Sequence, residues 1–200
     1  MFKKFMDNCK KPTGKFGSMV VGAMNMGHAP LCKWALKEVK IPANISLLDI
    51  GCGAGGNIVR IQKLHPTIKI SGMDYSPLCV EKSKVYTSKH HVNSDIKYGD
   101  VMCMPYNDAS FDMVTTFESI YFWTDPVKAL VEIKRVLKNE GKALIVCEMT
   151  DPIKDKKWSS KYDDMKIYTT DELMKMAEVA GFKNIKKYER KDWGIIEAYK

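Results

Sequence analysis

Arginine is nearly missing from this 200-residue chain. Among its 32 basic residues only Arg60, Arg135 and Arg190 are arginine; the rest are lysine. Groove reading and bidentate phosphate recognition favour the guanidinium fork, and the lysines are scattered. The net charge of +8 therefore reads as a solvated lysine surface, and no nucleic acid is expected as partner. Cys9, Cys32, Cys52, Cys79, Cys103 and Cys147 include no CxxC pair and no ligand spacing with the four histidines. No metal is expected, and the thiols suit the reduced state of a cytoplasmic enzyme. No apolar run approaches the roughly 20 residues a spanning helix needs; Ala143 to Cys147 is typical. The basic N-terminus (Lys3, Lys4, Lys10, Lys11) is followed by no apolar stretch of secretory type. Membrane insertion and a signal peptide are not expected.

What is present is an alternation of strand-like and helix-like segments from Ile45 onward. Strands are expected at 45–50, 68–73, 95–99, 111–117 and 142–148, with helices near 56–65, 77–90 and 125–138. Such alternation builds βαβ units and a parallel sheet with helices on both faces. Pro66 closes the first of these helices; Asp125 and Pro126 open a later one as N-cap and first helical residue. Asn139-Glu140-Gly141 is expected to turn into the next strand. Near the C-terminus, Thr169-x-x-Glu172 is a capping box before a helix at Glu172 to Ala180, ended by Gly181. Strands Ile185 to Arg190 and Trp193 to Tyr199 then make an antiparallel hairpin. The first 44 residues read as a helical segment interrupted by Pro12, Gly14, Gly17, Gly22, Gly27 and Pro30. One domain is expected, with 1–44 as a cover and 45–200 as the catalytic part.

The most informative segment is LLDIGCGAGGN, residues 47–57. A strand, a glycine turn and a helix N-terminus together make a nucleotide site, because free amides and the helix dipole converge there. Gly51 to Gly56 satisfies GxGxxG, which by itself does not separate NAD from other adenosine cofactors. Asp74 ends the second expected strand, where a carboxylate can accept from both ribose hydroxyls. Asp49 precedes the glycines at a place where it can meet an ammonium group and would repel a pyrophosphate. Asp100, closing the third strand, suits an adenine amino group.

In combination these segments resemble the class I S-adenosylmethionine-dependent methyltransferases, in the small-molecule group that includes quinone-ring C-methyltransferases. LLDIGCGAGG is similar to the first motif and GMDYSP to the second-strand acid motif. YGDVMCMPYNDASFDMVTTFESIYFW is similar to the third- and fourth-strand region, and ALVEIKRVLKNEGKALIV to the late helix and fifth strand. The late turn departs from the usual Pro-Gly-Gly. The resemblance implies an α/β Rossmann-like methyltransferase fold: a seven-stranded, mostly parallel sheet with a C-terminal antiparallel strand and helices on both faces. It implies S-adenosylmethionine as cofactor. Gly51, Gly53 and Gly55 would pass beneath its methionine part; Asp74, with Tyr75 and Ser76, would hold the ribose. Asp100, flanked by Val101 and Met102, would reach the adenine, and Phe117 and Glu118 would face the methyl. A nicotinamide-dependent oxidoreductase and a non-catalytic cofactor-binding protein are the competing readings.

Methyl transfer from a sulfonium is an in-line displacement, so placement in a dry site is the main task and a base helps when the acceptor loses a proton. Glu118 is the acid/base candidate, at a strand's carboxyl end where open α/β sheets bind ligands. His28, in Met24-Asn25-Met26-Gly27-His28, resembles a segment of one family branch. Tyr121, with Phe122 and Trp123, is expected to wall a substrate pocket, and Met19, Met24 and Met26 offer a pliable apolar lid. The Asn/Asp-Pro-Pro-Tyr signature of amino-methylating nucleic-acid enzymes is missing after the fourth strand. A small-molecule acceptor is expected, with the protein a monomer or homodimer; which atom receives the methyl stays open.

Overall fold

Leu47 and Leu48 are adjacent and both fully buried, yet they belong to different cores. Successive strand side chains point to opposite faces, so burial of both requires a sheet covered on two sides. The computed structural model describes residues 12–160 and 165–200 and shows that sheet. Its elements run α1 (Gly14–Gly27), α2 (Ala29–Glu38), β1 (Ser46–Ile50), α3 (Gly56–Leu64), β2 (Lys69–Asp74), α4 (Pro77–Lys89) and β3 (Asp95–Tyr98). Then follow β4 (Phe111–Phe117), a 3-10 turn (Ile120–Phe122), α5 (Pro126–Val136), β5 (Leu137–Cys147), α6 (Lys156–Ser159), α7 (Thr170–Val179), β6 (Lys183–Arg190) and β7 (Trp193–Tyr199). The strand order is β3-β2-β1-β4-β5-β7-β6. The first five are parallel; β7 is antiparallel to both β5 and β6. The chain order therefore reverses between β1 and β4, the crevice where open α/β sheets bind ligands.

Local chemistry sets the boundaries. Asp125 accepts from the Lys128 amide at 2.9 Å with Pro126 behind it, starting α5. The Thr169–Glu172 capping box is formed in both directions, and α7 begins at Thr170. Two expectations need correction. Gly17 and Gly22 do not interrupt the N-terminal segment: α1 is continuous over 14 residues and breaks at His28. A glycine inside a helix costs only about 1 kcal/mol relative to alanine, and tertiary packing outweighs it here. Asn139-Glu140-Gly141 is not a turn ahead of β5. The strand already starts at Leu137 and absorbs the three residues as an irregularity opposite Phe111 and Met113. Glu140 has φ 62°, and a Cβ at Gly141 would stand 2.8 Å from the Lys138 carbonyl, so the bulge requires glycine there. Among the described residues no helix is long and apolar enough to cross a membrane. Cys9 lies outside the described residues; the other five cysteines are free thiols.

Candidate active site

The glycine turn leaves β1 with Gly51 at φ 69°, Gly53 at 54° and Gly55 at 80°, the left-handed region that side chains resist. A Cβ at Gly51 would come within 2.7 Å of Ser119 Cβ, so the turn also needs glycine to let the segment after β4 pack against it. Beyond the turn lies a cavity of about 350 Å³ lined by Gly51 to Ala54, Asp74, Tyr75, Gly99 to Met102 and Phe117 to Ser119. Asp74 braces the turn: its Oδ2 accepts from the Gly53 amide at 2.9 Å and its Oδ1 from the Ser76 amide at 2.8 Å. Burial raises its pKa, against the lowering by those amides. Asp100 accepts from the Met102 amide at 2.9 Å. Val101 and Met102 give that end a partly apolar wall, and Tyr75 stacks on Tyr98 with ring centroids 6.0 Å apart.

These residues fit an adenosine cofactor. Two carboxylates stand at the ends of neighbouring strands, where ribose hydroxyls and an adenine amino group need acceptors. Among the described residues lining the cavity there is no lysine or arginine. That set suits a cationic sulfonium compound better than a dinucleotide bearing a pyrophosphate.

Glu118 stands just past β4, with a left-handed φ of 59°. Its Oε1 accepts from the Tyr121 hydroxyl at 3.1 Å and, through a short contact, from the Glu148 amide. Burial is the main cause that pushes its pKa up to about 8, with Glu148 and Asp155 adding to the rise and the hydrogen bonds opposing it. The Tyr121 hydroxyl in turn accepts from the Met149 amide at 3.0 Å. A second cavity, of about 440 Å³, opens on the other side of Glu118 and includes Tyr121, Glu148, Met149, Asp155 and Trp193 in its wall. Met24, His28, Glu118 and Phe122 line both cavities. His28 sits at the break between α1 and α2. Burial, then the Arg60 charge, lowers its pKa, so the imidazole is neutral at pH 7. Donor atoms of His28, Glu118 and Glu148 lie within 4.8 Å of one another.

Of the residues expected from sequence, Gly51, Gly53, Asp74, Tyr75, Asp100, Val101, Met102, Phe117, Glu118 and His28 all line the first cavity, as do Phe122 and Trp123. Gly55 serves as the left-handed N-cap of α3. Ser76 caps α4, accepting from Cys79, and donates to the Pro12 carbonyl at 3.2 Å. Asp49 lies outside the cavity wall, 1% exposed, accepting from Thr115 at 2.8 Å. Burial drives its pKa up to about 7, and the carboxyl lies against one face of the sheet beside Thr115. Tyr121 belongs to the second cavity, not the first. Glu148, Asp155 and Trp193 were not expected. For Glu148 a signal existed: it follows β5 as Glu118 follows β4, and the two strands pair with Phe117 opposite Val146.

The N-terminal helices reach this centre through a tight contact. An added Cβ at Gly56 would fall 1.3 Å from Asn25 Oδ1, so the glycine opening α3 leaves the space that Asn25 of α1 fills. Arg60 fastens the contact, donating to the Asn25 carbonyl at 2.5 Å. Val21, Met24, Asn25 and His28 thereby become cavity wall.

Residues 48–145 match the methyltransferase domain family. A demethylmenaquinone methyltransferase of Lactobacillus johnsonii is 31% identical over 176 residues, covering 74% of this chain and 72% of that protein. A ubiquinone/menaquinone biosynthesis C-methyltransferase of Citrifermentans bemidjiense is 30% identical over 123 residues, covering 60% of this chain; the match spans 52%, about half, of that relative's length. Among solved structures, an S-adenosylmethionine-dependent methyltransferase of Aquifex aeolicus superposes with a TM-score of 0.75 at 19% identity, covering 90% of this chain and 96% of that one. A possible histamine N-methyltransferase of Thermotoga maritima gives 0.69 at 22%, covering 89% and 95%. The structural likenesses show the fold; the sequence match to the Lactobacillus protein, which spans more than two thirds of each chain, shows the family. The chain belongs to the class I S-adenosylmethionine-dependent methyltransferases.

Proposed function

We propose that the chain transfers a methyl group from S-adenosylmethionine to a small-molecule acceptor held in the second cavity. The observation that carries this reading is the pair of adjoining cavities that share Glu118 and His28. S-adenosylmethionine supplies an electrophilic methyl on a sulfonium, which a nucleophile displaces in line. Asp74 accepts from the ribose hydroxyls while its other hydrogen bonds keep the glycine turn in shape. Asp100 accepts from the adenine amino group. Gly51 and Gly53 let the backbone lie close to the methionyl part. Phe122, in the wall of both cavities, excludes water at the junction, and Phe117 and Trp123 add apolar wall to the first. Glu118 takes the acceptor's proton in its ionised form, a fraction that grows as the pH rises through its pKa of about 8. His28 is held neutral beside it, and Tyr121 fixes the rotamer of Glu118. Of the 1–44 segment, residues 1–11 lie outside the described residues; the remainder acts as a cover, since α1 and the α1–α2 junction supply wall to both cavities. The free thiols suit a reducing compartment, consistent with a cytoplasmic enzyme.

Titration calorimetry with S-adenosylhomocysteine and with NADH tests the cofactor assignment. Micromolar binding of S-adenosylhomocysteine is expected; binding of NADH without it would overturn the reading in favour of an oxidoreductase. A screen of small acceptors with methyl-labelled cofactor then separates an enzyme from a protein that only binds the cofactor.

A further inference from the structure

The chain carries a net charge of +8, yet the second cavity is walled by Glu118, Glu148, Asp155 and Asp192, with no lysine or arginine among its described lining residues. Asp192 is paired with Lys154. No ion pair reaches the other three among the described residues. Asp155 is 7% exposed, and its Oδ2 is fully buried without a hydrogen-bond partner among those residues. A carboxylate so placed is expensive unless a cation or donor joins it. The three also raise one another's proton affinity: Asp155 acts on Glu118 and Glu148, and Glu148 on Glu118. The rest of the wall is apolar or aromatic, with Met149, Met165, Trp158 and Trp193.

We propose that this chamber recognises a cationic amine, so that the acceptor atom for the methyl group is nitrogen. The inference rests on the methyltransferase reading and names its substrate class. An ammonium group offers N–H donors to the carboxyl groups of Asp155 and Glu148 in the chamber wall, favouring their ionised forms. Its organic body lies against the methionines and rings, where aromatic faces favour a cation. Trp158 and Trp193 already have Lys157 and Arg190 at 5.9 and 5.6 Å, so the carboxylates, not the rings, supply most of the selectivity. A neutral ring acceptor brings no cation to this acidic wall. A metal ion is the rival cation, since His28, Glu118 and Glu148 are grouped. Asp155 lies outside that trio, however, and a volume of about 440 Å³ has room for an organic cation. In the reaction, Glu118, ionised opposite the bound ammonium, takes one N–H proton from it. The freed nitrogen lone pair forms the N–CH3 bond as the C–S bond breaks, its electrons returning to sulfur. The products are the methylated ammonium, a neutral thioether and protonated Glu118, which returns its proton to solvent.

The test uses the full chain saturated with S-adenosylhomocysteine and two probes of matched shape, 2-phenylethylamine and 2-phenylethanol. Calorimetry should show the amine binding at least about tenfold more tightly. Asp155→Asn and Glu148→Gln should each remove most of that preference while leaving alcohol binding and S-adenosylhomocysteine affinity unchanged. Equal affinity for the probes, binding of neither, or a preference that survives either substitution would overturn the proposal. So would tight binding of Mn2+ alone that is lost in His28→Ala and is not displaced by the amine. If S-adenosylhomocysteine itself fails to bind, the methyltransferase reading has failed; if it binds and the amine preference is missing, only the substrate class has.

Discussion

Asp74→Asn isolates the part of the cofactor site that the structure explains best. Both carboxylate oxygens accept a backbone N–H, from Gly53 at 2.9 Å and from Ser76 at 2.8 Å. An amide has one acceptor oxygen, so its NH2 must face one of these donors. The lost charge-assisted bond should cost the free protein about 1.5–3 kcal/mol, or a fall in Tm of about 3–12 °C for a domain of this size. The ribose hydroxyls separately lose a charged acceptor. A second penalty of about 1.5–3 kcal/mol on binding corresponds to affinity weaker by about 10- to 150-fold. Thermal unfolding reads the first effect and calorimetry with S-adenosylhomocysteine the second. A folded variant with unchanged affinity would refute the ribose role; unchanged Tm would refute the brace on the glycine turn.

Glu118→Gln should leave the fold and S-adenosylhomocysteine affinity intact, because both protein donors converge on Oε1, which glutamine retains. Turnover should fall by about 10²- to 10⁴-fold if Glu118 is the base; equal losses in turnover and cofactor affinity would make it a cofactor-orienting group. The same variant changes stability against pH. Glu118 has a folded pKa of about 8 against 4.5 for the free group, so its contribution to stability falls as pH rises between those values, and His28, Glu148, Tyr121 and Asp155 are the titratable groups around it. Denaturant titrations across that range should show a flatter dependence in the variant, and an unchanged slope would remove the assigned shift. Gly56→Ala should evict Asn25 and loosen α1, weakening S-adenosylhomocysteine binding about tenfold without a change at any cofactor contact; wild-type affinity would refute the cover. Lys142→Ala should cost about 3–5 kcal/mol in chemical denaturation, because it strands Glu197, which is 3% exposed and bonded to Lys142 at 2.8 Å. Burial opposes ionisation of Glu197, but Lys142, Tyr188 and Tyr199 hold its pKa below the ordinary range. That stability is present above the ordinary carboxylate pKa and lost as the pH falls through the lowered value; a loss under 1 kcal/mol would contradict the buried pair.

The wall of the first cavity was legible because it is local. The glycine turn, Asp74 and Asp100 each lie within a few residues of a strand end, and strand ends follow from apolar runs and turn chemistry. Asp49 shows the limit of that reasoning. Its place on β1 was visible, but the side chain's direction depends on which neighbour stands beside it, and Thr115 of β4 holds the carboxyl against one face of the sheet. The wall of the second cavity depends on contacts across long stretches of chain. Glu118 meets the Glu148 amide only because β4 and β5 pair, and Asp155 and Trp193 join them from the segments on either side of α7. No short pattern in the chain records that meeting. The continuity of α1 was hidden for a related reason: its glycines carry the local signal of a break, whereas the contact of Asn25 with α3 is tertiary.

Glu118 joins the two walls through its backbone as well as its side chain. Holding a non-glycine residue at φ 59° costs on the order of 1–3 kcal/mol, and such strain persists only where the surroundings fix it from several directions. Here they do. The Glu118 amide donates to the Val146 carbonyl at 3.0 Å, extending the β4–β5 ladder by one residue past the strand. The side chain then accepts from the Glu148 amide, so one residue of the β4 edge holds two positions of the β5 edge. Relaxing the backbone to an ordinary β conformation would swing the carboxyl away from the Glu148 amide and Tyr121, leaving those two donors to be satisfied elsewhere. The strain and the hydrogen bonds are thus one arrangement, and its effect is to keep a buried carboxyl at the junction between the cavities, with its second oxygen free of protein donors among the described residues.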